Sequence, residues 1–403
     1  MELSQCRQKS CQVMIKPTGS VCNLDCKYCF YLEKEMLYPD RKANYRMSDD
    51  MLELFIKQHI AAQDVNDVIF AWQGGEPTLM GLAFYRRALA LQQRYSGGKT
   101  IINTFQTNGI LIDDEWAIFF KQHAFLVGVS IDGDAALHDE WRVTRSGKPT
   151  HGKVEQAVKC LVRHGVVFNT LTVVNRTNMH HPVRVYNYLK SIGSRYMQFI
   201  PLIERSAEEG GIGLAHPEGG QTRMMPWSVD SLQFGHFLNA IFDVWVRNDI
   251  GDIGIQMFEQ TLAAWCGLPP QVCVFAPTCG SAFAMEMNGD VYNCDHFVYP
   301  QYKLGNIQDS TLRAMNNSEK NRQFGEDKRR TMAQECDSCS WQFACYGGCP
   351  KHRFLPSISG KRNHNYLCAG YKSFFSHTAM TMSAMKTLYE NGFSPVEIKS
   401  VFA

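Results

Sequence analysis

Three cysteines, Cys22, Cys26 and Cys29, stand on one short stretch with spacings of three and two residues. That arrangement offers three soft thiolate donors from a single loop. A cubic [4Fe–4S] cluster ordinarily takes four thiolates. Three leave one iron with an open position, where a metal can bind and transform a substrate. Tyr28, Phe30 and Tyr31 place aromatic rings beside the loop, where they would shield a cluster. The competing reading is an incomplete zinc site, although zinc motifs usually pair two ligands with two distant ones.

A second group lies far downstream: Cys273, Cys279, Cys294, Cys336, Cys339, Cys345, Cys349 and Cys368. The run Cys336-x2-Cys339-x5-Cys345-x3-Cys349, with Gly347-Gly348 and Pro350, is similar to ferredoxin-like ligation, where one run can serve two clusters. Eight thiolates suffice for two fully ligated [4Fe–4S] clusters, or for two zinc-ribbon sites. Spacing alone would group the four consecutive cysteines together. Asp295 directly follows Cys294, so a carboxylate could stand beside a metal group, and a general base needs reach before it needs a tuned pKa. The plainer reading has Asp295 and His296 satisfying backbone groups in a turn. Cys6, Cys11, Cys160 and Cys266 read as core or incidental thiols.

Composition supports metal over disulfides. The 403 residues include 15 cysteines, an odd number that cannot all pair within the chain. A chain this long needs no staples to hold a core. Met1 to Lys16 lacks the apolar stretch of an export signal, so the expected compartment is the reducing cytoplasm, where dense cysteine points to metal. Basic and acidic residues nearly balance, 41 against 39, which gives no footprint for nucleic acid. No apolar run approaches the roughly 20 residues that span a bilayer.

The elements that must hold these loops are readable from periodicity. Val13–Lys16, Val68–Gln73, Ile101–Thr107, Phe125–Ile131, Val167–Val174 and Tyr196–Pro201 are short, apolar and β-branched or aromatic, as buried parallel strands are. Amphipathic stretches lie between them: Ser48 to His59, Leu82–Tyr95, Asp113–His123, Lys153–His164 and Pro182–Lys190. Ser48 suits an N-cap and Pro182 a first helical turn. Six strand–helix units predict a parallel βα array, either partly closed or open, with chemistry at the loops after the strands. The first cysteine loop, Gln73-Gly74-Gly75-Glu76-Pro77, Thr107-Asn108-Gly109 and Ser130-Ile131-Asp132-Gly133 would converge on one rim. Glu204 to about Trp227 reads as a long loop and Asp230–Asn248 as a helix. After about Ile250 the regularity drops.

Cys22-Asn-Leu-Asp-Cys26-Lys-Tyr-Cys29 resembles the signature of the radical S-adenosylmethionine superfamily, and Gly74-Gly75-Glu76-Pro77 resembles its second-strand motif. The resemblance implies an α/β fold: a partial (β/α)6 TIM-like barrel over residues 1–250, followed by a cysteine-rich iron–sulfur (SPASM) domain over 251–403. It implies that the open iron is chelated by the methionine amino and carboxylate groups of S-adenosylmethionine. An electron then cleaves the sulfonium to give a 5′-deoxyadenosyl radical, with the cofactor carrying the hard chemistry. In related peptide-modifying enzymes, Ser, Arg and the motif Tyr contact S-adenosylmethionine. Carried over, these are Ser130, Arg142 and Tyr28, together with Gly75 and Leu202.

Cys273-x5-Cys279-x14-Cys294-Asp295 and the later run ending at Cys368 resemble the anaerobic sulfatase-maturating enzymes. That resemblance implies three [4Fe–4S] clusters in all. Cys273, Cys279, Cys294 and Cys349 would bind the first auxiliary cluster, and Cys336, Cys339, Cys345 and Cys368 the second. It implies oxidation of a Cys or Ser in an unfolded sulfatase polypeptide to Cα-formylglycine (3-oxoalanine). Asp295 would be the proton acceptor and a flavodoxin or ferredoxin-type protein the electron donor. Two alternatives stand beside this: another SPASM-domain peptide maturase, for example one forming thioethers, and a non-enzymatic zinc-binding protein.

Overall fold

Short apolar segments alternate with amphipathic ones through the first half of the chain, and each takes the form its period dictates. The computed structural model describes residues 10–38, 45–207 and 222–402. Cys6 and the middle of the Glu204–Trp227 stretch lie outside the described residues. The order is β1 (Gln12–Lys16), α1 (Asp49–Ala62), β2 (Asp67–Trp72), α2 (Leu82–Tyr95), β3 (Thr100–Thr107), α3 (Asp114–Gln122) and β4 (Leu126–Ser130). It continues with the single turn α4 (Ala135–His138), α5 (His151–Arg163), β5 (Phe168–Val174), α6 (Pro182–Ser191) and β6 (Tyr196–Pro201). Short polar side chains start α1 and α3. Ser48 Oγ accepts from the Met51 N–H at 3.2 Å, and Asp113 Oδ1 from the Trp116 N–H at 3.0 Å.

β1 to β6 pair in sequence order, every neighbour parallel, as successive strand–helix crossovers require. The result is a partial barrel with helices outside. Trp72, Tyr85, Phe105 and Phe120 fill the layer beneath α2 and α3, with ring centroids 5.1 Å apart for Tyr85–Phe105 and 5.0 Å for Phe105–Phe120.

Beyond β6 the chain is more regular than its sequence suggests. A short antiparallel pair, β7 (Arg205–Ala207) with β8 (Thr222–Met224), closes the ends of the expected loop. Then come α7 (Ser231–Asn248), β9 (Gly254–Ile255), α8 (Gln256–Trp265), β10 (Ala282–Glu286), β11 (Asp290–Tyr292) and β12 (Lys303–Asn306). α9 (Leu312–Asn316), α10 (Glu319–Arg330), α11 (Gln342–Cys345) and α12 (Cys368–Glu390) follow. The expected irregularity after Ile250 is therefore corrected. α12 alone runs 23 residues and buries Tyr371, Phe374, Phe375, Met382 and Met385 on one face. Four downstream strands, β9 to β12, also extend the barrel sheet. β9 adds beside β6, and β10 lies parallel to β1 at the other edge, giving the order β12-β11-β10-β1-β2-β3-β4-β5-β6-β9. No helix among the described residues is long and apolar enough to cross a membrane.

α7 and α12 pack backbone to backbone. A Cβ on Gly370 would sit 2.1 Å from the Ser231 carbonyl oxygen, and one on Gly235 would sit 2.6 Å from that of Gly370. This contact fixes the first turn of α12, which begins at Cys368. Gly370→Ala should separate the helices and destabilise the fold by about 1–3 kcal/mol, the usual cost of overpacking. A thermal unfolding midpoint equal to the parent's would refute the close contact.

Candidate active site

The first cysteine loop leaves the end of β1 and is held by backbone contacts from two sides. Gly75 N–H donates to the Gly19 carbonyl at 2.7 Å, and Glu76 N–H to that of Val21 at 3.0 Å. A Cβ on Gly75 would lie 2.0 Å from the Val21 oxygen, so only glycine allows the approach. On the other side, Asp25 N–H and Lys27 N–H donate to the carbonyls of Val143 and Trp141 at 2.9 and 3.0 Å. Arg145 Nη2 donates to the Cys22 carbonyl at 2.7 Å. Asn108 Nδ2, from the end of β3, reaches Asn23 Oδ1 at 2.7 Å and Cys22 Sγ at 3.5 Å. Burial, helped by neighbouring acidic groups, pushes the Cys22 and Cys26 thiols up to about 12. Such thiols are costly to ionise without a cation among them, and metal binding displaces their protons.

Two buried carboxylates, one in the Gly-Gly-Glu-Pro motif and one in the Ser130–Gly133 segment, organise the strand ends behind this loop. Glu76 accepts from Thr78 N–H (3.0 Å), Thr78 Oγ1 (2.6 Å), Thr107 Oγ1 (2.8 Å) and Asn108 N–H (2.8 Å), which ties β2 to β3. Asp132 follows β4. Its Oδ2 accepts from Tyr28 Oη at 2.5 Å and Arg142 Nε at 3.0 Å, and its Oδ1 from the Val173 N–H at 3.0 Å. Tyr28 and Arg142, expected at a cofactor, therefore converge on Asp132. Burial alone would lower the Arg142 guanidinium, but Asp132 and Tyr28 hold it above the usual arginine range. Ser130 is buried at the end of β4, and its hydroxyl bonds to no described residue. Leu202 is buried after β6, its N–H donating to Val174 and its carbonyl accepting from Val229, both at 2.9 Å. An acid directly after an apolar strand was the available signal for Asp132.

The distal thiols separate into two groups. Cys336, Cys339, Cys345 and Cys368 line one pocket with Trp341, Tyr371 and Phe375. In the other group, burial first and then Cys273 and Cys349 raise Cys279 and Cys294. Cys349 thus faces the upstream thiols rather than its neighbours in the run. Three consecutive residues with positive φ make that turn: Tyr346 (46°), Gly347 (70°) and Gly348 (62°). Among described residues the cysteines are all free thiols. Lys328 and Arg353 are buried beside Cys279 and Cys349, bonding only carbonyls among described residues: Lys328 Nζ reaches Cys273 O at 2.7 Å, and Arg353 Nε reaches Gly347 O at 3.0 Å. Buried cations without a carboxylate fit an anionic group held by four thiolates. Of the thiols expected to be incidental, Cys11 and Cys160 are buried and Cys266 is half-buried.

Asp295 stands where the two cysteine regions meet. It opens the turn after Cys294, and its Oδ1 lies 2.5 Å from the ammonium of Lys16, the last residue of β1. Lys16 Nζ also sits 3.9 Å above the ring of Tyr31, which donates to the buried Glu286. Burial would raise the Asp295 carboxyl, but the Lys16 ammonium holds it below the usual carboxylate range. It is therefore ionised near neutrality. His296 packs edge-on to Phe30 with centroids 5.7 Å apart, and burial lowers it to about 4, so it is neutral. Lys351 Nζ pairs with Glu204 at 2.5 Å and lies 4.8 Å from the Phe30 ring.

Comparison with known proteins bears on this geometry. Residues 17–189 match the Radical SAM superfamily, and residues 273–340 match an iron–sulfur cluster-binding domain. A serine-type anaerobic sulfatase-maturating enzyme of Bacteroides thetaiotaomicron is 46% identical over 392 residues, covering 97% of this chain and 94% of its own. A cysteine-type enzyme of Clostridium perfringens is 34% identical, covering 91% and 95%. The structure of anSMEcpe with bound AdoMet and the Cp18Cys peptide superimposes with a TM-score of 0.81 at 32% identity, covering 93% of this chain and 98% of that one. These relatives set aside the non-enzymatic zinc reading. They account for both cysteine regions in one protein, and the chain belongs to the family of anaerobic sulfatase-maturating enzymes, radical S-adenosylmethionine oxidoreductases with an iron–sulfur-binding SPASM segment.

Proposed function

We propose that this chain oxidises a serine side chain of a sulfatase polypeptide to Cα-formylglycine. The observation that carries the proposal is the ionised Asp295, tied to Lys16 between the first cysteine loop and the Cys294 thiol. Serine is favoured over cysteine because the 46% identical relative is of the serine type, whereas the cysteine-type relative is 34% identical.

We assign Cys22, Cys26 and Cys29 to the cluster that engages S-adenosylmethionine. Cys273, Cys279, Cys294 and Cys349 are assigned to one auxiliary cluster, and Cys336, Cys339, Cys345 and Cys368 to a second. The pocket lined by the last four thiols and the uncompensated Lys328 and Arg353 support this division. Tyr28, Gly75, Ser130, Arg142 and Leu202 are assigned to the S-adenosylmethionine site. For Tyr28 and Arg142, Asp132 would fix the orientation. We take 1–250 as the barrel unit and 251–403 as the SPASM unit, working in the cytoplasm with a flavodoxin or ferredoxin-type donor.

When bound, these groups would supply the 5′-deoxyadenosyl radical that takes a hydrogen atom from the substrate Cβ, and an acceptor for the electron released. Converting CH2–OH to CHO removes two hydrogens. One leaves as that atom; the other leaves the hydroxyl as a proton, and one electron goes with it. Asp295 takes the proton. Its Oδ2 accepts no hydrogen bond from a described residue, whereas Oδ1 is held by Lys16. Phe30 and the neutral His296 pack edge-on beside it, with ring centroids 5.7 Å apart.

Two variants separate the stages. Cys26→Ala should abolish both 5′-deoxyadenosine and formylglycine in an anaerobic assay with a serine peptide. Asp295→Asn should still form 5′-deoxyadenosine but lower formylglycine by about 10²–10⁴-fold, the span of general-base contributions. Mass spectrometry reads both products. Normal peptide oxidation by Asp295→Asn would remove it from the mechanism.

A further inference from the structure

A lysine is seldom fully buried, and remains so only where its charge is met. Lys16 is such a case. Its side chain is 2% exposed, and the groups around its ammonium are the Asp295 carboxylate at 2.5 Å, the Tyr31 ring face at 3.9 Å and Met14 Sδ at 3.8 Å. The strand that carries it is fixed on both edges: β1 is paired with β2 and β10, and Lys16 lies opposite Glu286 in the β10 register. The ammonium therefore has little freedom. Asp295, by contrast, sits in a single turn after Cys294 and is held by no strand.

The two oxygens of Asp295 also differ. Oδ1 is buried against Lys16, while the side chain as a whole retains 15% exposure and Oδ2 bonds to no described residue. A carboxylate anchored through one oxygen presents the other in a fixed direction. Rate gains in proton transfer depend on such orientation, and a displacement of about 1 Å can cost 10²-fold.

We infer that Lys16 is the positioning residue for Asp295, gripping one carboxylate oxygen so that the other is aimed at the substrate hydroxyl. The inference rests on Asp295 being the proton acceptor. A purely structural role would be different: Lys16 would only fasten β1 to the turn after Cys294, and any loss on its removal would follow loss of fold or iron.

The test uses the full chain, loaded anaerobically with iron and sulfide, and a sulfatase-motif serine peptide. Iron per chain, thermal midpoint, 5′-deoxyadenosine and formylglycine are read for Lys16→Met, Lys16→Arg, Asp295→Asn and the double variant Lys16→Met/Asp295→Asn. Lys16→Met is expected to keep its iron, while formylglycine formed per 5′-deoxyadenosine falls about 10²-fold with little change in peptide KM. Lys16→Arg should fall between Lys16→Met and the parent. The double variant should oxidise peptide no more slowly than Asp295→Asn, because coupled residues are not additive. It should also melt above Lys16→Met, which alone leaves a buried carboxylate unpaired.

A parent-like product ratio in Lys16→Met, with Asp295→Asn impaired, overturns the inference and leaves the role of Asp295 standing. Multiplying losses in the double variant overturn it too. Normal oxidation by Asp295→Asn removes the reading beneath it. Should Lys16→Met lose its iron, Lys16→Arg decides: iron retained with a lowered product ratio supports positioning, and iron retained with the parent ratio overturns it.

Discussion

The parallel pairing of β10 with β1 is the contact on which the rest of the molecule depends. It runs from Gln12 opposite Ala282 to Lys16 opposite Glu286. Through it, residues some 270 positions apart in sequence become neighbours in one sheet. The turn carrying Cys294 and Asp295 follows the β10–β11 hairpin, so the register of this single pair decides whether Asp295 arrives at Lys16. A slip of one residue would turn every side chain of β10 to the other face. It would carry Glu286 away from Tyr31 and break the buried polar chain at the end of β1. The apolar alternation of β1, with Val13 and Ile15 inaccessible, specifies the register.

Much of the barrel was legible in the sequence. The six parallel strands and the helices between them fall within about three residues of the positions their periods predict, because burial on both strand faces and on one helix face imposes a local pattern. The half beyond Ile250 was not legible in this way. β10 reads as an ordinary apolar pentapeptide, and its partner is named only by the fold. α12 was hidden because its buried face is interrupted by Gly370 and Thr378, and its first residue is a cysteine that reads as a ligand before it reads as a helix start. The short β7–β8 pair was similarly invisible, being three residues on each side.

At the site itself, the types of residue were legible and their partners were not. The cysteine loop and the glycine opposite it are marked by spacing and by a Gly-Gly motif. Asp132, Glu76 and Lys16 are each a single charged residue at or just after an apolar strand, a position that sequence alone cannot tell from a solvated strand end. Their function comes from convergence. Glu76 binds two strand ends, Asp132 gathers Tyr28 and Arg142, and Lys16 meets Asp295. For Asp132 and Lys16 a buried charge is met by an opposite charge from another segment, so that removing either member would leave the other uncompensated, whereas Glu76 is met by neutral hydroxyl and backbone donors. This gathers these charged groups at the strand ends, at one end of the barrel.

The turn from Tyr346 to Gly348 carries a different consequence. Three successive left-handed residues take the chain from Cys345, in the thiol-lined pocket, to Cys349, beside the upstream thiols. A Cβ at Gly348 would meet Asn365 Nδ2 at 2.3 Å, and one at Gly347 would meet Arg353 Nη2 at 2.8 Å, so the link is braced on both sides. Such a link has no slack. A residue inserted or deleted within it would displace both groups of thiols together, so the length of this one turn sets the spacing between them.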